Sequence, residues 1–245
     1  MKILLAPSET KIAGGEGKFD INSLFLPEIH NKRVELINTY TKIVLSQDLE
    51  TLSKMFGLKK ESDIKKHIKD ITKEATMKAI LRYRGVAFDY LDYPTLTKDA
   101  QEYLDNNLLI FSNLFGVLKA SDKIPEYRLK QGEAVGNIKP EKVYKELLKE
   151  PLDRYLENED ILDIRAGFYD KFYKANKSYT TLKFLKNGKV VSHWAKAYRG
   201  LVLRYCAINR VDSIKEFMSL NIPKLSIIEI REQGKKQEVV YEISE

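Results

Sequence analysis

The chain has one cysteine and three histidines among 245 residues, and this scarcity excludes several classes of protein. Cys206 has no second cysteine for an internal disulfide, so we expect a buried, inert thiol in a reducing compartment. His30, His67 and His193 are too widely spaced in the sequence to give a recognisable metal-ligand pattern with it. The sequence therefore predicts no metal site and no disulfide framework.

Long apolar runs are also missing. No uninterrupted run approaches the ~20 residues that a helix needs to cross a bilayer. The apolar run after Lys2 is shorter than the ~7–15 residues of a signal-peptide core, so we expect a cytoplasmic protein without a membrane partner. Gly14, Gly15 and Gly17 have the spacing neither of a Walker loop nor of a dinucleotide fingerprint. The sequence therefore predicts no cofactor.

Acidic residues are absent from residues 171–211. This stretch holds ten of the 42 basic residues and none of the 35 acidic ones, so the net charge of +7 becomes an acidic surplus outside it. The basic residues are Lys171, Lys174, Lys177, Lys183, Lys186, Lys189, Lys196, Arg199, Arg204 and Arg210. Aromatic side chains interleave with them, so the stretch predicts a polyanion-binding surface. A solvated lysine-rich face is the alternative interpretation.

The composition predicts one globular domain over residues 1–245, with a mixed α/β or α+β fold in which helices surround a central mixed sheet. Hydrophobic residues make up 43% of the chain, and no repeat or linker divides it. The expected strands are Lys2–Ala6, Leu108–Ser112, Asp160–Arg165, Tyr179–Leu185 with Lys189–Ser192 around Asn187-Gly188, and Ser226–Arg231 with Glu238–Ile243. The expected helices are Pro27–Leu45, Asp48–Phe56, Ser62–Thr72, Glu74–Arg84, Asp99–Leu104, Pro140–Leu156, Trp194–Asn209 and Ser213–Leu220.

Residues 48–72 suggest a helix-hairpin-helix-like element. Two short helices flank Gly57-Leu58-Lys59-Lys60, and Ser62 is the expected N-cap of the second. Such elements hold DNA phosphates with main-chain N–H groups, and Lys59 and Lys60 would add charge. Any helical hairpin can have the same pattern.

The helix Trp194–Asn209 separates into two faces. Its apolar arc, expected to dock on the sheet or hairpin, contains Trp194, Ala197, Tyr198, Leu201, Val202, Tyr205 and Ile208. The opposite arc carries Lys196, Arg199, Arg204 and Arg210, with Gly200 and Ala207 between them. Because glycine within a helix costs ~1 kcal/mol relative to alanine, we expect a close neighbour at Gly200. A nucleic-acid backbone, a small anionic ligand or another helix would each satisfy this expectation.

Polar loops supply further candidate residues. Ser8 and Lys11 follow the first strand, where α/β proteins commonly place functional groups, although Ser8 also suits a turn. Asp122, Tyr127 and Arg128 form a second cluster, interpreted either as catalytic or as a buried Asp–Arg pair that fixes the loop. No nucleophile–base pair can be identified from spacing, so we expect a binding protein. An enzyme acting on a nucleic acid or a small anionic substrate is the alternative.

Several segments occur in a fixed order along nearly the whole chain. They are Leu4–Lys11 (Leu-Leu-Ala-Pro-Ser-Glu-Thr-Lys), Tyr83–Val86, Leu114–Leu118, Ser121–Leu129, Ser192–Lys196 and Arg199-Gly200. Together they resemble the YaaA family of peroxide stress proteins. The Pro-Ser-Glu-Thr-Lys opening differs from the Ser-Pro-Ala-Lys-Thr of the peroxide-linked branch, so this chain is more similar to a second branch.

The resemblance implies a bacterial cytoplasmic protein with a mixed α/β fold, a positively charged cleft and a helix-hairpin-helix-like element. It also implies DNA as a partner, with a role in limiting free iron and DNA damage during hydrogen peroxide stress. We expect binding to phosphates to be structure-selective, with a small anion as a further possible ligand. The expected binding residues are Lys11, Lys59, Lys60, Arg128, Lys196, Arg199, Gly200 and Arg204.

Overall fold

A computed structural model describes residues 1–244, with the backbone alone described at 192 and 193. The strands are β1 (Lys2–Leu5), β2 (Thr76–Lys78), β3 (Leu108–Ser112), β4 (Gly116–Lys119), β5 (Lys123–Pro125), β6 (Ile161–Asp163), β7 (Tyr179–Lys186), β8 (Lys189–Val190), β9 (Leu225–Gln233) and β10 (Lys236–Ile243). The α-helices are α1 (His30–Leu45), α2 (Leu49–Phe56), α3 (Glu61–Lys65), α4 (Ala79–Arg82), α5 (Val86–Leu91), α6 (Lys98–Asn107), α7 (Pro140–Tyr155), α8 (Ser192–Asn209) and α9 (Ile214–Met218).

Across the described residues, eight strands form the main sheet in the order β4-β3-β1-β6-β7-β10-β9, with β8 paired to β7. The interior strands from β3 to β10 run parallel, whereas β4, β8 and β9 pair antiparallel with their neighbours. The expected mixed α/β fold with a central mixed sheet is therefore confirmed. β1 lies in the middle because its apolar residues Ile3–Leu5 are buried, which suits a strand covered on both faces.

Local signals predicted several elements correctly. Asn187 and Gly188 adopt positive φ angles of 51° and 69°, as a two-residue turn between β7 and β8 requires. Pro140 begins α7, where its missing N–H costs no helical hydrogen bond. Among the described residues, we find no helix with the length and apolar character to cross a membrane.

The predicted helix over Glu74–Arg84 is wrong. Thr76–Lys78 instead forms β2, which pairs antiparallel with β5. Only Ala79–Arg82 is helical, and the buried Arg82 side chain donates to the carbonyl oxygens of Ala75 (3.0 Å) and Ile124 (3.2 Å). The pairing partner lies more than forty residues away along the chain. The conformation of this segment is therefore determined by a long-range interaction, which the helical periodicity of its sequence does not reveal.

Residues 48–72 do contain two short helices. α2 ends at Gly57, whose φ of 65° is typical of a helix C-terminus. The predicted N-cap at Ser62 is wrong, because Lys60 occupies that position and α3 ends at Lys65. The second helix is thus shorter than the predicted Ser62–Thr72, and a DNA-binding role for the pair stays a prediction.

The predicted apolar face of α8 is partly wrong. Trp194 and Ile208 are 43% and 53% exposed, whereas Leu203 and Cys206 are fully buried. The reason is that α8 packs on two neighbours at once, the sheet and α5. Gly200 faces α5: a Cβ there would lie 3.0 Å from the Leu91 amide nitrogen and closer still to the Ala87 carbonyl oxygen. Of the three neighbours considered for Gly200, a second helix is the one present.

Candidate functional site

A pocket of about 440 Å³ opens at the carboxyl ends of β1 and β6. Its wall combines the loops after these strands, the start of α5, and the side chains of Lys196 and Arg199 on α8. β1 has β3 on one side and β6 on the other. The pocket therefore lies at the point in the sheet where the chain leaves β1 for a strand on one side and later returns to a strand on the other side. Open parallel sheets commonly bind ligands in this position.

The loop after β1 is held against the segment before α5. Ile12 N donates to Arg82 O (2.9 Å), and Arg84 N donates to Thr10 O (3.0 Å). This pairing brings Ser8 to Gly85, where an added Cβ would lie 3.0 Å from Ser8 Oγ. Gly85 has a φ of 137°, so both its conformation and the close approach of Ser8 favour glycine. Ser8 therefore lines the pocket, while a catalytic role for it stays a prediction.

Glu9, which the sequence analysis missed, fixes one side of the pocket. Its carboxylate accepts from the Arg128 guanidinium (3.3 Å) and from the Gln131 amide nitrogen (3.2 Å). Arg128 also donates to Glu9 O (3.3 Å) and Phe56 O (3.0 Å). Arg128 thus supports the pocket wall through Glu9. The available signal was the Pro-Ser-Glu-Thr-Lys segment, which places Glu9 beside Ser8.

Lys11 lies behind the Ser8–Glu9 loop. Its Nζ donates to Ser8 O (3.0 Å) and Glu9 O (3.3 Å), and it lies 4.0 Å from the centre of the Tyr127 ring. Burial lowers the pKa of Lys11 to about 7, and Arg128 adds to this effect while Glu9 opposes it. The ammonium group therefore braces the loop and titrates near neutral pH.

This pKa gives stability a pH dependence. Between about pH 7 and the ordinary lysine pKa of 10.5, the unfolded chain keeps a proton at Lys11 that the folded chain has released. The free energy of unfolding should therefore rise with pH in this window, relative to Lys11→Met. Urea unfolding at pH 6, 7.5 and 9 measures the difference in the free energy of unfolding between wild type and Lys11→Met. Below pH 6 this difference should no longer depend on pH. The exposed-site control Lys18→Met should follow wild type, whereas identical pH profiles for Lys11→Met and wild type would contradict the prediction.

Tyr127, a predicted catalytic candidate, belongs to a buried hydroxyl chain. Its OH lies 2.8 Å from both Tyr83 OH and Ser112 Oγ. Ser112 Oγ also accepts from the amide of Phe115 (2.9 Å). Burial raises the pKa of Tyr127 well above the ordinary tyrosine value. Tyr127 is therefore a neutral support beneath Lys11 and does not line the pocket.

Arg199 is the least compensated charge at the site. It lines the pocket as a half-buried side chain of α8, and its Nε is buried without a hydrogen-bond partner among the described residues. Within the described part of the chain its guanidinium forms no hydrogen bond or ion pair. Burial lowers the pKa of Arg199, and Asp163 partly opposes this. Lys196, one helical turn earlier, is exposed at the pocket mouth.

Other predicted residues lie away from the pocket. Asp122 accepts from the amides of Phe25 (3.0 Å) and Lys119 (3.1 Å), so it fixes its loop without pairing with Arg128. Arg204 donates to Leu91 O (2.9 Å) and Thr95 Oγ1 (3.0 Å), so it caps the carbonyl end of α5. Gly200 contacts protein, as described above. Lys59 and Lys60 are exposed in the turn between α2 and α3.

The basic stretch does not form one surface. Lys177 donates to the carbonyl oxygens of Glu157 and Glu159 (both 2.8 Å). These residues precede the amino end of β6, whereas the pocket opens at its carboxyl end. Arg210 borders a wider depression of about 820 Å³, half of whose lining residues are acidic, including Asp99 and Glu216. That depression therefore suits anions poorly. Two of the ten basic residues, Lys196 and Arg199, line the pocket.

The fold and the site define an α/β protein whose cationic pocket opens at the carboxyl edge of its parallel strands. The family model described as "Peroxide stress protein YaaA" matches residues 1–230. The chain therefore belongs to the YaaA family of peroxide stress proteins, as its motifs indicated.

Relatives in several bacteria are similar along most of the chain. The uncharacterized protein Cj0984 of Campylobacter jejuni is 46% identical over 245 residues, which cover 99% of each chain. A UPF0246 protein of Corynebacterium glutamicum is 32% identical over 87% of each chain. A UPF0246 protein of Marinomonas is 28% identical over about nine-tenths of each chain. The similarity thus includes the segments that form the pocket.

Proposed function

We propose that this protein binds DNA through the phosphate backbone as part of the bacterial response to hydrogen peroxide. The observation that carries the proposal is Arg199, a half-buried arginine at the wall of an open pocket, whose Nε is buried without a hydrogen-bond partner among the described residues. A partly buried charge of this kind is costly unless a counter-charge reaches it. A phosphate oxygen matches the donor geometry of arginine.

Lys59 and Lys60 supply a second set of cations for the proposed DNA-binding surface. The α2–α3 turn carries Lys59 and Lys60, and α2 packs directly on the segment that borders the pocket. Lys130 N donates to Met55 O (2.9 Å), and Arg128 Nε donates to Phe56 O. These contacts connect the end of α2 to the segment that reaches the pocket at Gln131.

The proposal predicts a steep dependence on salt. Four phosphate contacts, at Lys59, Lys60, Lys196 and Arg199, give a slope of log K against log salt of about −3.6 for duplex DNA. Affinity for a labelled duplex, measured by fluorescence anisotropy, should fall about 100-fold between 50 and 200 mM salt. The double variant Lys59→Gln/Lys60→Gln should reduce the slope by about 2. Affinity that does not change with salt would overturn the proposal.

The proposed cellular role is to protect DNA and to limit free iron. The family description supports the link to peroxide. Within residues 1–244, no group of three or more His, Cys, Asp or Glu side chains is placed to hold a metal ion. We therefore propose that any effect on iron is indirect.

An enzyme acting on a nucleic acid or small anion in the same pocket is the second candidate. The observation that favours it is Ser8, a hydroxyl that lines the pocket together with Lys196 and Arg199. Lys11 does not line the pocket, so its role here would be to hold the Ser8–Glu9 loop in place. Turnover of a DNA or nucleotide substrate that Ser8→Ala abolishes, while binding persists, would support this candidate over simple binding.

A further inference from the structure

We infer that the pocket holds a single nucleoside phosphate, either free or as an unpaired nucleotide of a DNA strand, with its phosphate at Arg199 and its base against the apolar wall. If the nucleotide belongs to a DNA strand, the inference rests on the proposed function. The first argument is size: about 440 Å³ lies within the range of ~300–1,000 Å³ of pockets that hold small organic ligands. The recess is therefore sized for one small ligand.

The second argument is the uneven lining of the pocket. Arg199 and Lys196 lie on α8, whereas Leu5, Ile164 and Phe88 form an apolar surface on the remaining wall. An inorganic phosphate would satisfy the cations and leave that apolar surface against water. A ligand with an anionic end and an apolar, planar end fits both parts, because bases bind proteins through their flat faces.

The third argument is the polar rim. The Glu9 carboxylate is held in place by Arg128 and by the Gln131 amide, and both Glu9 and Gln131 border the pocket. A carboxylate accepts hydrogen bonds, so a purely anionic ligand would be repelled here. A sugar hydroxyl or a base amino group donates hydrogen bonds, and the exposed Gln131 side chain can donate or accept. Anion, apolar plane and hydrogen-bond donor occur together in a nucleoside phosphate.

The test uses the full-length protein and three small probes: thymidine monophosphate, thymidine and inorganic phosphate. Binding is measured by calorimetry, and Trp194, the single tryptophan, gives a fluorescence signal from α8. The monophosphate should bind at least tenfold more tightly than either part. Ala166→Leu fills the pocket from the loop after β6 without removing a charge, and it should weaken monophosphate binding at least tenfold. Lys189→Gln, at an exposed position on the β7–β8 hairpin that does not line the pocket, should leave it unchanged.

DNA probes then separate the two sources. A single-stranded oligonucleotide that binds tighter than its duplex, and loses this advantage in Ala166→Leu, identifies an unpaired nucleotide as the ligand. Monophosphate binding without any DNA binding identifies the free nucleotide and overturns the proposed function alone. Equal binding of single strand and duplex, unaffected by Ala166→Leu and without monophosphate binding, overturns the inference and leaves duplex binding in place. Circular dichroism of Ala166→Leu establishes that it is folded.

Discussion

Arg199→Met should weaken DNA binding about thirtyfold while leaving the free protein as stable as wild type, or more stable by about 1 kcal/mol. The loss follows because hydrogen bonds to a charged group contribute about 2 kcal/mol, and 1.4 kcal/mol corresponds to a tenfold change in affinity. The gain in stability follows because methionine removes a buried Nε that has no hydrogen-bond partner among the described residues. Anisotropy and urea unfolding measure the two effects separately.

The matched control is Lys189→Met. It also removes one positive charge, but from an exposed position on the β7–β8 hairpin. Its affinity for DNA should change less than threefold, because the substitution weakens only the overall positive electrostatic potential of the protein. Equal losses in the two variants would mean that net charge, and not the pocket, determines binding. A strongly destabilised Arg199→Met would mean that the guanidinium stabilises the fold.

Gly200→Ala should reduce the free energy of unfolding by about 3 kcal/mol, which is opposite in sign to the usual effect. Glycine-to-alanine changes within helices ordinarily stabilise by about 1 kcal/mol. Here the added Cβ would collide with the Ala87 carbonyl and the Leu91 amide, both backbone groups of α5 that cannot move aside without shifting the helix. For a chain of this length, the midpoint of thermal unfolding should fall by about 6–12 °C.

Gly167→Ala is the control for this change. Gly167 lies near the pocket without a positive φ, and an added Cβ would meet no atom within 4 Å. Its free energy of unfolding should stay within about 0.5 kcal/mol of wild type. If Gly200→Ala matched or exceeded wild type in stability, the close contact between α5 and α8 would be wrong.

The features that could be predicted from the sequence are those specified by neighbouring residues. Asn187-Gly188 forms its own turn, Gly57 ends α2, and Pro140 starts α7, because each conformation depends on one or two residues. Ser8 and Lys196, chosen from their positions after a strand and on a basic helix face, line the candidate pocket, and their roles stay predictions.

The features that could not be predicted depend on partners far along the chain. Thr76–Lys78 is a strand because residues 123–125 lie beside it. Arg204 resembles a free cation in the sequence, but it donates to the end of α5, more than a hundred residues away. Glu9 gains its role from Arg128 and Gln131. A periodic pattern contains no information about such pairs.

The central position of β1 also determines when this protein can complete its fold during synthesis. β1 spans residues 2–5, yet its neighbours β3 and β6 begin at residues 108 and 161. At ~5–20 residues per second, its second neighbour leaves the ribosome roughly 8–30 s after β1. Pairing across such distances is also slow for entropic reasons. Ile3, Leu4 and Leu5, which are buried in the folded protein, therefore remain without their complete set of sheet partners for many seconds in the nascent chain.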